Sequence, residues 1–204
     1  PFEIANDGEV TALAGSMSLG KNNVLGVALG TSTAGGYVNS VGNITNWLNE
    51  LAFTPIDYCR TAPLDEWSGD IGCGALYLSQ QCTGRLLTAA GIEAEESMPL
   101  PEKLKLVQPL MDQGDPRASA IYETIGAYFG YAIAHYADFY EIEHVLILGR
   151  VTSGAGGDVI LDVARKVLAG DFRKLSERIQ FHTPDEKEKR HGQAIAAASL
   201  PVIS

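Results

Sequence analysis

The sequence predicts an α/β fold, and three stretches of the chain carry that prediction. Residues 24–38 alternate bulky and small side chains and then pass through a glycine-rich turn into a second apolar run, which is typical of two strands joined by a turn. Residues 145–148 form a short apolar run that leads through glycines into a helical pattern. Residues 117–139 are apolar on more than one helical face, which indicates a central helix. Helices placed between strands favour an α/β domain.

The composition is that of a globular protein without an electrostatic surface for nucleic acid. The 204 residues are 46% hydrophobic and 20% charged, with a formal net charge of −10. That charge disfavours nucleic acid as a partner of this chain, and no apolar run reaches the length of a membrane span. The three cysteines, Cys59, Cys73 and Cys82, form no CxxC pair, which disfavours a disulfide framework and a zinc knuckle. A reducing cytoplasmic location is the simpler expectation.

The start of the chain contains the first candidate catalytic residue. Residues 1–5 have the pattern of a buried strand, and because position 1 is Pro rather than Met we expect a piece of a longer protein. The strand ends at Asn6 and Asp7, and a helix is predicted from about residue 9 to residue 17. Asp7 has two interpretations. Its carboxylate is well placed to cap that helix, and it also follows a strand at the end where open α/β sheets bind ligands, where it could accept a proton from a substrate hydroxyl.

The turn after residues 24–29 is a candidate phosphate site. Gly30 and Gly35 allow a ligand to approach the backbone closely. Thr31, Ser32 and Thr33 add hydroxyl groups, and the successive amides of such a turn form a concave, partly positive nest. A plain hairpin with a glycine-rich turn explains the same residues, so both interpretations stay open.

The middle of the chain alternates between irregular and helical patterns. Residues 42–70 show no clear periodicity, which is typical of a long functional loop. Helical patterns then cover three ranges, residues 72–90 with an interruption near Thr83 and Gly84, residues 102–110, and residues 117–139.

A second glycine-rich turn follows the strand at residues 145–148 and precedes a helix predicted from about residue 158 to residue 168. It contains Gly149, Arg150, Ser153 and Gly154. A strand, a glycine turn and a helix N-terminus favour a phosphate group, because backbone amides and the helix dipole attract negative charge. The spacing matches neither GxGxxG nor a Walker A loop, so the motif is weak by itself. A strand at residues 178–181, a charged turn at 185–190 and an alanine-rich helix at 192–200 complete the prediction.

Five segments, taken in this order, resemble the motifs of one protein family. They are Asn6-Asp7, Leu29-Gly30-Thr31 with Gly35-Gly36, residues 50–57 from Glu50 to Asp57, Leu146-Ile147-Leu148-Gly149, and Gly192-Gln193-Ala194. Together they resemble the C-terminal lobe of the ROK family (repressors, open reading frames and sugar kinases) within the actin/hexokinase/Hsp70 superfamily. The resemblance implies a ribonuclease H-like lobe, with a mixed sheet and helices on both faces, as a single domain over residues 1–204. It also implies an N-terminal lobe outside this chain.

The resemblance assigns a role to each candidate residue. Asp7 would be the catalytic base, and Asn6, Glu50 and Phe53 would bind the substrate. Phosphate and nucleotide binding would fall to the two turns, through Gly30, Thr31, Ser32 and Gly35 in the first and Gly149, Arg150, Ser153 and Gly154 in the second. The implied cofactors are ATP and Mg²⁺, and the implied acceptor is a sugar-like small molecule.

Several positions depart from the family pattern. Phe53 stands where the family has a His that binds sugar and zinc, and Ala75 stands where it has a sugar-contacting Glu. The zinc cysteines of the family would fall at Glu66, Ser68 and Cys73, so only one of them remains. Because zinc needs about four nitrogen or sulfur ligands, we expect no structural zinc.

Three functions stay open on the sequence. The first is the C-terminal lobe of an ATP-dependent kinase for a sugar or a related small molecule, which the intact Asn6-Asp7 favours. The second is a non-catalytic lobe that senses sugar or nucleotide in a ROK-type transcriptional regulator. The third is an interaction module that has kept the fold and lost the site. The last two are favoured by the changes at Phe53, at Ala75 and at Ser32, where the family usually has a glycine. The missing N-terminal lobe is the expected partner, no membrane is, and a homodimer is left open.

Overall fold

The computed structural model describes residues 6–45, 47 and 49–183 of the 204-residue chain. Three predicted elements lie outside the described residues: the strand at 1–5, the charged turn at 185–190 and the helix at 192–200. Among the helices that the structure describes, none combines the length and the apolarity that crossing a lipid bilayer requires.

Within the described residues, the centre of the structure is a mixed sheet of four strands in the order β2-β1-β3-β4. β1 (Val24–Leu29) and β2 (Thr33–Val38) form an antiparallel hairpin. β3 (His144–Leu148) runs parallel to β1, and β4 (Gln180–His182) runs parallel to β3. The mixed sheet predicted from the sequence is therefore confirmed, with its antiparallel strand at one edge.

α1 (Asp7–Leu19) lies on one face of the sheet and packs directly on the backbone of the hairpin. Gly26 and Gly36 are paired in the hairpin and face the helix. A methyl group at Gly36 would overlap the carbonyl oxygen of Gly8, and one at Gly26 would lie 3.1 Å from the Cβ of Ala12. The small side chains on one side of β1 thus allow α1 to pack closely against the sheet.

Replacing Gly36 by Ala is expected to lower the free energy of unfolding by about 2–3 kcal/mol, because backbone atoms of α1 block the new methyl group and cannot rotate away. Urea unfolding measures the loss. Gly170→Ala is the matched control, since no atom lies within 4 Å of the new methyl group there and alanine is the better helix former by up to about 1 kcal/mol. Equal stability of the two variants would contradict the close contact.

The other face of the sheet carries the larger core, so helices cover both faces as predicted. Leu25, Val27 and Leu29 of β1 join this core and are fully buried. Its principal helices are α5 (Pro116–Tyr136) and α6 (Ala155–Asp171).

α5 is a central helix and packs closely on α6. A methyl group at Gly126 would lie 2.8 Å from the Cβ of Val163, and one at Gly130 would lie 2.7 Å from the Cβ of Val167. The sequence-based expectation that this glycine pair marks a tight helix contact is therefore confirmed. The helix ends at Tyr136, three residues before the predicted end at residue 139.

The helical pattern at residues 72–90 divides at a different point from the one predicted. α2 (Gly74–Tyr77) and α3 (Gln80–Ala89) are separated at Leu78 and Ser79, whereas Thr83 and Gly84 lie inside α3. The Ser79 hydroxyl accepts a hydrogen bond of 3.0 Å from the Gln81 amide and so caps the new helix. α4 (Leu100–Asp112) follows, and α7 (Arg173–Ser176) precedes β4.

Two histidines join the ends of β3 and β4. Nδ1 of His144 lies 3.0 Å from Nε2 of His182. Burial lowers the pKa of both imidazoles, and the nearby positive charge of Lys21 lowers both further, while Glu143 partly opposes this at His144. The charge of Arg165 and the neighbouring His144 also lower the pKa of His182.

The histidine pair predicts a fall in stability as the pH falls. The unfolded chain takes up protons near the ordinary histidine pKa of about 6.5, whereas the folded protein resists protonation, so stability is present above that pH and is lost below it. Urea midpoints measured at a series of pH values should decrease downward from about pH 7. His182→Gln should flatten this dependence, and His135→Gln on α5 should leave it; the same slope in both variants would contradict the assignment.

Candidate functional site

The candidate site lies at the carboxyl ends of β1 and β3, which are on the same side of the sheet because the two strands are parallel. These strands are parallel neighbours, and the chain leaves β1 towards β2 on one side and β3 towards β4 on the other. Ligands of open α/β sheets bind at the carboxyl ends of the strands where the connections diverge in this way. A methyl group at Gly149 would overlap the carbonyl oxygen of Leu29. The second turn is therefore in direct contact with the end of β1.

α1 begins beside β2, where Gly8 contacts Gly35 and Gly36, and its first residues correct one prediction. The cap of the helix is Asn6, whose side-chain oxygen accepts a hydrogen bond of 2.8 Å from the Gly8 amide. The prediction that Asp7 caps the helix is wrong, because the extended backbone of Asn6 places the Asn6 side chain over the free amides. Asp7 is the first residue of the helix, and it is exposed to solvent.

Glu50 is held next to this helix start. The Asn6 amide nitrogen donates a hydrogen bond of 3.1 Å to Oε1 of Glu50. The preceding residue is fixed as well, since Asn49 donates to the buried carboxylate of Glu9 at 2.9 Å and accepts from the Tyr140 hydroxyl at 2.7 Å. Asn6, expected to bind substrate, thus uses its side chain to cap α1 and to hold Glu50.

The first glycine turn is shorter than the sequence suggested. It consists of Gly30, Thr31 and Ser32, and the last two are exposed. Thr33 is buried, and its hydroxyl donates to the carbonyl oxygens of Leu78 at 2.9 Å and Gly74 at 3.3 Å, so it supports the turn from inside.

Gly35 is part of β2 and not part of the turn. It pairs with Val27 in the hairpin, and its carbonyl oxygen packs against Gly8. A methyl group at Gly35 would overlap the side chain of Leu51. The need for glycine at this position therefore comes from its packing against Leu51.

The second glycine turn lines a cavity of about 270 Å³ at the end of β3. Gly149, Arg150 and Ser153 form its wall, and Gly154 follows as the residue before α6. Gly149 and Gly154 have φ angles of 101° and 73°, which favour glycine. α6 begins without a side-chain cap, so its N-terminus offers backbone amides and the positive end of the helix dipole.

A larger cavity of about 390 Å³ opens beside Glu50. Ser32 of the first turn, Phe53 and Ala75 lie in its wall. The rings of Phe53 and Trp67 stack at the cavity with their centroids 5.6 Å apart and an angle of 17° between the ring planes. Two of the predicted substrate residues, Glu50 and Phe53, are thus brought together with the first turn.

Sequence reasoning missed three residues of this cavity, namely Asp65, Trp67 and Gln81. Asp65 is only 4% exposed. Its carboxylate accepts a hydrogen bond of 2.9 Å from the Ser68 amide, and that amide lowers the pKa of Asp65. The Gln81 side chain approaches the same carboxylate at 3.5 Å. No periodic or spacing signal marks these positions, because two of them lie in the aperiodic segment between β2 and α2.

Comparison with known proteins identifies the fold and not the activity. No family model matches the sequence, and no curated protein matches it. Among solved structures, a ROK hexokinase from Thermus thermophilus matches with a TM-score of 0.73 and 18% identity over 97% of this chain. A ROK-family transcriptional regulator, a homolog of the E. coli MLC protein, matches with a TM-score of 0.73 and 17% identity over 95% of this chain.

This chain has the ROK fold. A ROK-family glucokinase from Streptomyces griseus, solved with glucose and AMPPNP, matches as well, with a TM-score of 0.72 and 19% identity over 98% of this chain. The resemblance seen in the sequence motifs is therefore confirmed for the fold. The chain spans 64% of the hexokinase, 51% of the regulator and 68% of the glucokinase.

The absence of a structural zinc remains a testable prediction for this chain. Among the residues that the structure describes, no three or more His, Cys, Asp or Glu side chains form a group that could hold a metal ion. Cys73 is fully buried, whereas Glu66 is exposed. We expect elemental analysis of the purified chain to give far less than one zinc per chain. A stoichiometric zinc that survives dialysis against a chelator would contradict this prediction.

Proposed function

We propose that this chain is the C-terminal lobe of an ATP-dependent kinase that transfers a phosphoryl group to a hydroxyl of a sugar or a related small molecule. The observation that supports the proposal is a pair of cavities next to the two glycine turns. Glu50 and Ser32 of the first turn line one cavity, which we assign to the acceptor, and Gly149 and Arg150 of the second turn line the other, which we assign to the nucleotide. Asp7 follows Asn6, whose side chain is hydrogen-bonded to Glu50. The second lobe and the activity of the complete protein are part of the proposal.

In the proposed reaction Asp7 accepts the proton of the acceptor hydroxyl. Its carboxylate is exposed at the start of α1 and has no role in capping, so it is free to approach a substrate within the roughly 3 Å that proton transfer needs. Glu50, held by the Asn6 side chain, orients the acceptor. Positioning of this kind supplies most of the catalysis in phosphoryl transfer.

The residues of the second turn fit the phosphates and the nucleoside of ATP. Arg150 supplies a positive charge, and the uncapped start of α6 supplies amides. ATP would supply the phosphoryl group and Mg²⁺ would neutralise its charge. Mg²⁺ is commonly held by one or two carboxylates together with phosphate oxygens, and the proposal assigns it to the phosphates.

The nucleotide part of the proposal is tested by calorimetry with AMPPNP and Mg²⁺. Ser153→Asp places a negative charge in the wall of the second cavity and should weaken binding by about tenfold or more, the equivalent of 1.4 kcal/mol. Ser40→Asp, an exposed position after β2, is the matched control and should bind like the unaltered chain. Equal affinities of both variants, or no binding by the unaltered chain, would count against the proposal.

A second candidate function is a sensing lobe that binds the same molecules without transferring phosphate. The regulator matches this chain with the same TM-score as the hexokinase, and the altered positions Phe53 and Ala75 both lie in the acceptor cavity. Ligand binding without formation of ADP by the complete protein would favour this second function. The 204-residue chain alone is expected to show no transfer under either function.

A further inference from the structure

We infer that the acceptor bound in the cavity beside Glu50 carries a protonated primary amine, as an amino sugar does. This inference rests on the proposed function, since it names the substrate class of that site. The first argument is charge. Two acidic residues, Glu50 and Asp65, line the cavity, and within the described part of the chain its lining contains no Lys, Arg or His. Both carboxylates would repel an anionic acceptor, such as a sugar acid or a sugar phosphate.

The second argument is the balance of donors and acceptors in the wall. The Thr33 hydroxyl is already donated to backbone carbonyls, and the Gln81 amide nitrogen is directed at Asp65. Ser32 supplies a hydroxyl that can serve in either direction. Apart from these two hydroxyls and the second N–H of the Gln81 amide, the polar side chains in the wall are carboxylates, which only accept. A neutral polyol needs donors as well as acceptors, whereas an ammonium group only donates.

The third argument is the aromatic pair. Trp67 is 83% exposed and Phe53 is 36% exposed, although both are large apolar side chains. They stack on each other beside the cavity, and Asp65 fixes the turn that presents Trp67 by accepting from the Ser68 amide. An indole face attracts a cation, more strongly when the cation is partly removed from water. Glu50 and Trp67 line the same cavity, and a carboxylate and an indole ring are both groups that attract an ammonium ion.

The three arguments predict one order of binding affinity among sugars of similar size. Glucosamine, whose amine is protonated at slightly acidic pH, should bind more tightly than glucose. N-acetylglucosamine is uncharged at the same position and should bind like glucose, and glucuronate should bind most weakly. Higher salt should reduce the advantage of glucosamine, because the interaction with Glu50 is between charges.

The test uses the fluorescence of Trp67 in the full chain. The chain has two tryptophans, so Trp47→Phe leaves Trp67 as the single reporter. We expect glucosamine to bind at least about tenfold more tightly than glucose. Glu50→Gln, which keeps the size of the side chain, should remove that difference. Glu66→Gln is the matched control, because Glu66 is exposed and does not line the cavity.

Each contrary outcome has a defined meaning. Glucose or glucuronate binding as tightly as glucosamine would overturn the inference, and so would an unchanged preference in Glu50→Gln. No binding of glucosamine by a chain that still binds AMPPNP would overturn the inference and leave the proposed kinase function standing. Loss of AMPPNP binding together with a retained preference for glucosamine would count against the kinase and support the amine site.

Discussion

Asp7→Asn is expected to lower phosphoryl transfer by the complete protein about 10²–10⁴-fold, the range typical of a general base. The expected effect falls on kcat, because the amide keeps the size of the side chain but accepts no proton. Asn6 and not Asp7 caps α1, so the variant should lose at most about 1 kcal/mol of stability through the weaker interaction with the helix dipole. A coupled assay for ADP and a melting curve measure the two quantities.

Asp162→Asn is the matched control for this experiment. Asp162 is exposed on α6 and forms a surface ion pair with Arg165 at 2.8 Å, a type of interaction that contributes little to stability. Its transfer rate should equal that of the unaltered protein. If Asp7→Asn also retained the full rate, the carboxylate would not be the base and the sensing function would become the stronger candidate.

Phe129→Ala is expected to lower the free energy of unfolding by about 3–5 kcal/mol, the range for removing a buried phenylalanine. Phe129 is 0% exposed. It lies on α5 against Phe181 of β4, with the ring centroids 6.1 Å apart. The cavity left behind cannot collapse easily, because the glycine contacts already bring α5 and α6 together. With a typical total of about 5–15 kcal/mol, this is a large share of the stability.

Phe139→Ala makes the same chemical change just beyond the end of α5, where the ring is 62% exposed. It should cost less than about 1 kcal/mol in the same urea titration, since little apolar surface leaves the core. A loss below about 1 kcal/mol in Phe129→Ala as well would show that α5 is peripheral in solution.

The order and type of the elements could be predicted from the sequence because they depend on local patterns. Alternation of large and small residues marks β1 and its small-residue face, against which α1 packs, and helical spacing marks α5. The glycine pair Gly126 and Gly130 predicts a close helix contact, although it does not identify the partner helix. Where several motifs follow in a fixed order, the resemblance also indicates the fold.

Element boundaries were less certain, because they depend on single hydrogen bonds. Asn6 and Asp7 are both good caps, and only the extended backbone of Asn6 decides between them. In the same way Ser79 divides α2 from α3, although Gly84 is the more obvious breaker in the sequence.

The sequence by itself determined the α/β class of the fold and the two strands, β1 and β3, that lead into the glycine turns. The placement of Asp7 after a strand remains a prediction, because the residues before Asn6 lie outside the described part of the chain. Only the tertiary structure decided that Asn6 holds Glu50, and that Asp65, Trp67 and Gln81 share one cavity with it. The physical reason is that periodicity reports which face of an element is buried, whereas an aperiodic segment has no such face. Its side chains find their neighbours through contacts distant in sequence, such as Asn49 with Tyr140, which form only when the whole lobe has folded.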